Sequence, residues 1–192
     1  MSELLLSTWS FGVIGVAAGA AVLRAGGSAL DAVVAGATAV ESDESVDSVG
    51  VGGTPDADGR VSLDACVMTD PEHCGSVAHV RRFANPTAIA RRVMEKTIHV
   101  MLAGDGAEEF AAREGFEPRL PLTDVARARW VNWREELART GRSPYEGWIP
   151  PRTIEPGGAH HDHSGPPPGG HDTICVLARD RRGQLAGACS SS

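Results

Sequence analysis

Residues 169–176, which read GGHDTICV, place one threonine at the point where the chain changes character. A Pro- and Gly-rich segment comes before it, and the apolar, β-branched run of Ile174, Val176 and Leu177 that follows is typical of a buried strand. Thr173 is therefore predicted to be the first residue of a strand. Because a threonine side chain has little freedom at χ1, its hydroxyl would point in a fixed direction.

A hydroxyl held beside its own peptide bond can act as a nucleophile, although composition alone favours a threonine that merely begins a strand. Attack by the Thr173 Oγ on the carbonyl carbon of Asp172 would give an ester by an N-to-O acyl shift. Water would cleave that ester and leave Thr173 as a new N-terminus. The freed α-amine has a pKa of roughly 7.7–8, so it can serve as general base for its own hydroxyl. No separate histidine is needed.

The residues around Thr173 carry a family resemblance. HDTI at 171–174, an apolar strand, a turn at Arg182 and Gly183, and LAGACSSS at 185–192 resemble the nucleophile segment of the glycosylasparaginase branch of the N-terminal-nucleophile hydrolases. Similar motifs occur upstream in the family's order: LSTWSFG (6–12), GGSALDAV (26–33), SVGVGGTPDADGRVSLDACVM (48–68), ANPTAIARRVMEKT (84–97) and HVMLAGDGAEEFA (99–111). Several long motifs in the right order make the resemblance specific.

The resemblance implies roles for individual residues. It makes Thr173 both the residue that cleaves the chain and the hydrolytic nucleophile, and Asp172 the residue whose carbonyl is attacked and whose side chain strains the bond. Ser191 matches a hydroxyl residue near the nucleophile, and Trp9 matches a tryptophan beside the substrate pocket. His171 matches the motif and is assigned no proton-transfer role.

The implied reaction is hydrolysis of the side-chain amide of an N4-substituted asparagine, such as the bond between N-acetylglucosamine and asparagine. Thr173 would attack the amide carbonyl, and water would release aspartate from the resulting ester. The HDTI wording favours this branch over the plant-type asparaginase and isoaspartyl peptidase branch, which usually reads GTVG. No cofactor and no metal ion is implied.

The implied fold is α/β, the four-layer αββα sandwich of the family, here incomplete at its C-terminus. The first strand and the Thr173 strand are expected to be neighbours in the central sheet. Three regions follow: 1–140 resembles the α subunit, 141–172 is a Pro/Gly/His-rich linker, and 173–192 begins the β subunit. The linker holds seven of the twelve prolines and is predicted to be disordered.

A histidine cluster within the linker invites a metal-binding interpretation. His160, His161 and His163 flank Asp162. Adjacent side chains on a flexible segment bind a metal weakly, because a zinc site needs four ligands on a fixed frame. We therefore expect an exposed linker, and a His-rich metal-binding module remains the third-ranked alternative.

Two departures from the family pattern bear on activity. Cys175 replaces a glycine two positions after the nucleophile, so crowding there is expected to slow cleavage. The family's second subunit also continues well beyond position 192 and supplies an arginine, an aspartate and an oxyanion hole. Full activity is therefore not expected from this chain alone, and an inactive half that needs a partner chain, or a homodimer, is the alternative.

Composition limits the partners and the compartment. A net charge of −7 argues against general nucleic-acid binding, which needs a basic face. The four cysteines form neither a CxxC pair nor a disulfide framework, and free thiols are favoured for Cys66 and Cys74. The N-terminus lacks the basic start of a signal peptide. We expect a cytoplasmic protein with a small-molecule substrate and no membrane contact.

Hydrophobic periodicity, together with the residues that typically begin and end helices, predicts the remaining elements. We expect a strand from Leu4 to Trp9, a solvated connection at 41–47, and core packing of Trp130 and Trp133. The other predicted elements are helices at 15–24, 28–41 with a Ser28–Asp31 capping box, 86–96 and 122–139, a helix capped by Asp105, and strands at 61–68, 75–81 and 100–103.

Overall fold

A computed structural model describes residues 2–143 and 173–192 of the chain. The described residues form six strands and five helices, in this order: β1 (Leu4–Ser7), α1 (Gly12–Arg24), α2 (Ala29–Glu41), β2 (Leu63–Asp70), β3 (His73–Val80), α3 (Pro86–Lys96), β4 (Met101–Ala103), α4 (Gly104–Arg113), α5 (Asp124–Thr140), β5 (Ile174–Arg179) and β6 (Leu185–Ser191). The fold class is therefore α/β, as predicted. Of these helices, none has the length and apolar character needed to span a bilayer.

The six strands form one sheet in the order β1-β5-β6-β2-β3-β4. Every neighbouring pair is antiparallel except β3 and β4, which run parallel. The first strand and the strand after Thr173 are neighbours, as predicted, and β1 lies at the sheet edge. Two segments from opposite ends of the chain thus run side by side.

Helices cover one face of this sheet. α2 packs on β5 and β6, α1 packs on α2, and α3 packs on β2 and β3. Because side chains alternate along a strand, β5 buries Ile174, Val176 and Ala178 on the helix side. The opposite face exposes a group of apolar side chains, which we call the open face: Leu4, Leu6, Met68, Leu177 and Leu185.

Local sequence signals explain where α2 begins. The Ser28 hydroxyl accepts a hydrogen bond from the Asp31 N–H over 3.1 Å, and the Asp31 carboxylate accepts one from the Ser28 N–H over 3.2 Å. The predicted capping box is therefore confirmed. A second carboxylate, Asp180 from the β5–β6 turn, accepts from the Ala29 N–H over 3.3 Å and so ties that turn to the helix start.

Two helices, α4 and α5, differ from the sequence predictions. α4 begins at Gly104 with Ala103 as its N-cap, so Asp105 lies in the first turn and does not cap the helix. α5 buries Ala126 alone, and Trp133 is 37% exposed, so the predicted core stripe is wrong. Its other tryptophan, Trp130, donates from Nε1 to the Ala57 carbonyl over 3.3 Å. α5 therefore packs on a surface loop, a contact that periodicity does not reveal.

We expect Gly36→Ala to destabilise the fold. A Cβ at Gly36 would lie 2.9 Å from the Gly15 carbonyl oxygen of α1 and 3.3 Å from a Val176 methyl of β5. Overpacking of this kind costs about 1–3 kcal/mol. Gly106→Ala is the matched control, because it also lies in a helix and a Cβ there meets nothing within 4 Å. Urea unfolding of both variants measures the difference, and equal stabilities would contradict close α1–α2 packing.

Candidate active site

Two hydroxyl groups meet where β5 and β6 lie side by side. Thr173 directly precedes β5, and Ile174, the first residue of that strand, pairs with Ser190 of β6. This register places Thr173 and Ser191 together on the open face of the sheet. The Thr173 Oγ donates a hydrogen bond to the Ser191 Oγ over 3.2 Å. The structure thus brings together two residues that the sequence analysis had named separately.

The first loop of the chain holds the carbonyl group of Thr173. The Thr8 hydroxyl donates to that carbonyl oxygen over 3.0 Å, and the Trp9 indole Nε1 donates to it over 3.2 Å. The Cys175 N–H donates to the Thr8 hydroxyl over 2.9 Å, and the Thr8 N–H donates to the Cys175 carbonyl over 3.0 Å. The structure therefore places Trp9 beside Thr173 and adds Thr8, which no motif had distinguished from its neighbours.

The backbone at Trp9 turns sharply to make this contact. The predicted first strand reaches Trp9, but β1 ends at Ser7, and Trp9 has a φ of 62°. Residues other than glycine rarely adopt this left-handed conformation. Such strain persists only where surrounding contacts hold it, and here the indole is held by the Thr173 carbonyl oxygen.

The last three serines contact three different neighbours. Ser190 is 1% exposed and faces the helices, whereas Ser191 faces Thr173. The Ser192 hydroxyl donates to the Ser48 carbonyl over 2.8 Å and accepts from the Thr54 N–H over 3.2 Å. The glycine-containing loop 48–54 therefore reaches the end of β6.

The Thr173 hydroxyl has a neutral hydrogen-bond partner in Ser191, and Asp64 of β2 pairs with Ser191 in the sheet. Within residues 2–143 and 173–192, no carboxylate, histidine or lysine hydrogen bonds to the Thr173 hydroxyl. In the same ranges, no group of three His, Cys, Asp or Glu side chains could hold a metal ion. Asp172, His171 and the linker cluster His160, His161 and His163 lie outside the described residues. The described geometry can thus orient a nucleophile but does not itself supply its base.

The whole of this arrangement falls within one family match. The family model described as Asparaginase matches residues 8–192, which include Thr8, Trp9, Thr173 and Ser191.

The chain belongs to the asparaginase family.

Individual members of the asparaginase family show where the similarity is most extensive. An N(4)-(β-N-acetylglucosaminyl)-L-asparaginase of Elizabethkingia miricola is 43% identical over 98% of this chain and 49% of its own length. The protein of the same name from Rattus norvegicus is 33% identical over 98% of the chain and 57% of its own length. A plant-type L-asparaginase of Thermococcus kodakarensis is 39% identical over 62% of the chain and 39% of its own length. The resemblance to glycosylasparaginases is therefore confirmed, and the chain spans about half the length of these two glycosylasparaginases.

Three thiols of this asparaginase-family chain lie in one row across the open face. The sheet register pairs Cys175 with Cys189 and Cys189 with Cys66. All are free thiols, as is Cys74. Hydrogen bonding from Cys189 lowers the pKa of the Cys66 thiol, and the same contact raises the pKa of Cys189. In the sequence Cys66 has only Cys74 nearby, because strand pairing between distant segments is not visible there.

A buried carboxyl group lies under the site. Glu41, predicted within a solvated connection, is the last residue of α2 and is fully buried. Its Oε1 accepts the Thr87 N–H over 3.1 Å and also the Thr87 hydroxyl. Burial raises the pKa of Glu41, and the hydrogen bonds from Thr87 and the nearby Ser190 hydroxyl oppose this shift without cancelling it. The prediction of a solvated Glu41 is wrong, because α2 carries it beneath the sheet.

We expect the contribution of Glu41 to the free energy of unfolding to fall as the pH rises above 4.5, the ordinary pKa of a glutamate. Because the folded pKa of Glu41 is raised, the folded state holds a proton that the unfolded state has lost, so unfolding becomes easier as pH increases. Glu41→Gln removes this contribution. Compared with the unmodified protein, the variant should therefore be more stable at neutral pH than at acidic pH. Melting temperatures measured against pH test this expectation.

The exposed residue Glu72 provides the control for that measurement. The melting temperature of Glu72→Gln should change with pH in the same way as that of the unmodified protein. If Glu41→Gln also follows the unmodified protein at every pH, the carboxyl of Glu41 does not carry a raised pKa.

Proposed function

We propose that the chain is the nucleophile-bearing half of an amidohydrolase, in which Thr173 frees its own amino group and then attacks the side-chain amide of an N4-substituted asparagine. The observation that carries this proposal is the 3.2 Å contact between the Thr173 and Ser191 hydroxyls, at the end of β5 and inside the family match. The fixed carbonyl of Thr173 supports it, because the residue that follows the scissile bond is held at one orientation.

Release of the nucleophile breaks one peptide bond and consumes one water molecule. The Thr173 Oγ attacks the Asp172 carbonyl carbon, the C–N bond breaks, and the hydroxyl proton passes to the departing nitrogen. Water then hydrolyses the ester to the Asp172 carboxylate and restores the Thr173 hydroxyl. The new α-amine has a reference pKa of roughly 7.7–8, near enough to neutrality to accept the hydroxyl proton in the next reaction.

The substrate reaction repeats this chemistry on a side-chain amide. The Thr173 Oγ attacks the amide carbonyl, the substituted nitrogen leaves with a proton, and water releases aspartate from the ester. The extent of similarity favours an N4-glycosylated asparagine as substrate. The two glycosylasparaginases compared above match 98% of the chain, whereas a plant-type L-asparaginase matches 62% and an isoaspartyl peptidase/L-asparaginase matches 56%. Hydrolysis of an unsubstituted asparagine or an isoaspartyl peptide is the second candidate.

A second sheet over the open face would complete the αββα sandwich. Leu6 and Leu185 on that face are 53% and 64% exposed, and apolar groups on one sheet face favour packing against another layer. The chain spans about half the length of its glycosylasparaginase relatives, so the remaining half of such a protein is the proposed cover. Without the oxyanion hole that the family's second subunit carries, the rate would fall by about 10²–10³-fold.

We expect Thr173→Ala to abolish cleavage before residue 173. Alanine lacks the hydroxyl that attacks Asp172, whereas the control variant Thr173→Ser retains one and should still cleave. Intact-mass spectrometry and N-terminal sequencing of the purified chain measure the result, and the expected fragment begins with Thr173. If the unmodified chain remains intact, or if Thr173→Ala is cut at the same bond, the proposal fails.

Cleavage and substrate hydrolysis are separate tests. Incubation of the cleaved chain with an aspartyl-β-amide measures whether this half is active alone. Cleavage without hydrolysis would indicate that the missing half is needed for turnover, and hydrolysis by the isolated chain would contradict that need.

We expect Cys175→Gly to cleave faster than the unmodified chain. Cys175 adjoins the site because its N–H and carbonyl both hydrogen bond to Thr8, and its side chain lies on the same face of the sheet as Thr173. Cys74→Gly is the matched control, since it makes the same chemical change on β3, away from Thr173. A time course by mass spectrometry measures both rates. Equal rates for Cys175→Gly and the unmodified chain would refute the crowding argument.

A further inference from the structure

Two of the five buried side-chain oxygens that lack a partner among the described residues belong to Glu41 and Ser190. Among the described residues, neither Oε2 of Glu41 nor the Oγ of Ser190 completes a hydrogen bond. The Ser190 hydroxyl nevertheless lies close enough to the Glu41 carboxyl to influence its pKa. An unpaired buried polar group costs free energy, so these two neighbours have a strong tendency to bond to each other.

The pattern of donors indicates which oxygen of Glu41 carries the proton. Oε1 accepts both the N–H and the hydroxyl of Thr87, so it behaves as the carbonyl oxygen. The remaining oxygen, Oε2, is then the O–H of a neutral acid, in agreement with the burial of the side chain. Donation from Oε2–H to the Ser190 Oγ would give both unpaired atoms a partner with one hydrogen bond.

Glu41 is also tied to the other side of Ser191. Its carbonyl oxygen accepts the Val51 N–H over 2.7 Å. Gly50 lies so close that a Cβ there would be 2.0 Å from the Glu41 carbonyl oxygen, and its φ is 59°. The same loop supplies the Ser48 carbonyl and the Thr54 N–H that hold Ser192. Ser192 is therefore held by a loop that is bonded to the Glu41 backbone, and Ser190 lies beside the Glu41 carboxyl.

We infer that Glu41 is a positioning residue, which acts through Ser190 and through loop 48–54 to keep the Ser191 hydroxyl within reach of Thr173. It touches neither reacting group. The inference rests on the proposed function, since it assigns Glu41 to the geometry of the Thr173 reaction. A loss of its hydrogen bond to Ser190 should move the end of β6 and lengthen the contact between Thr173 and Ser191.

Two variants separate this role from a general contribution to stability. Ser190→Ala removes the group on the Oε2 side of Glu41, and the matched control Thr87→Val removes a hydroxyl on the Oε1 side. We expect Ser190→Ala to slow cleavage before Thr173 by about tenfold or more, because small misplacements of reacting groups carry large rate penalties. Thr87→Val should lower the melting temperature but leave the cleavage rate nearly unchanged. Equal rate effects of the two variants would overturn the inference.

Two replacements of Glu41 test whether its hydrogen-bonding groups are what the cleavage reaction needs. Glu41→Gln keeps a carbonyl for Thr87 and an N–H donor for Ser190, so it should cleave at nearly the normal rate. Glu41→Met has neither group and should cleave as slowly as Ser190→Ala. If Glu41→Met cleaves normally while folded, Glu41 does not position the site.

Infrared difference spectra test, independently of cleavage, whether the Glu41 carboxyl is protonated and hydrogen bonds to Ser190. The unmodified chain at neutral pH should show the carbonyl stretch of a protonated carboxylic acid that is absent from Glu41→Gln. This band should shift in Ser190→Ala, and its absence at neutral pH would overturn the inference. A chain that shows the band but never cleaves would instead refute the proposed function, so the two failures are distinguishable.

Discussion

The hydrogen-bonded pairing of β5 with β6 sets the distance between Thr173 and Ser191. Side chains alternate along a strand, so a slip of one residue in this register would turn Ser191 toward the helices and bring Ser190 or Ser192 to the open face. The same register buries Ile174 and Val176, whose apolar side chains cannot face water without cost. Burial of the strand therefore holds the hydroxyl pair in place.

A second pairing brings the start of the chain to the same point. β1 runs antiparallel to β5, and its pairing of Ser7 with Val176 leads directly into the contacts of Thr8 and Trp9 with Thr173. Groups more than 160 residues apart in sequence thus share one site. Neither pairing depends on a charged group, which fits a site where the nucleophile is oriented by backbone and hydroxyl hydrogen bonds.

The two faces of the sheet have different physical roles. On the helix side, close contact between α1 and α2 lets α2 carry Glu41 beneath β6, where a neutral carboxyl can be accommodated. On the open face, apolar side chains and the row of Cys175, Cys189 and Cys66 lie beside the hydroxyl pair. A protein layer on this face would exclude water from both.

The sequence by itself determined the family, the α/β class and most element positions, because these depend on local signals. The Ser28–Asp31 capping box and Pro86 at the start of α3 were predicted correctly for this reason. Thr173, Ser191 and Trp9 were named as site residues from motifs alone. Their mutual distances could not be predicted, since motif order gives no coordinates.

Only the tertiary structure decided which residues share an environment. Thr8 hydrogen bonds to Thr173 because β1 lies next to β5, and nothing in its local sequence indicates that neighbour. Glu41 appears in an acidic, water-seeking stretch, yet helix packing buries it. Trp133 shows the opposite case, since an apolar helical stripe remains partly in solvent where no layer covers it. The burial of a residue depends on which distant segments of the chain pack against it. The sequence pattern reflects only the preference of each residue for water or for the core.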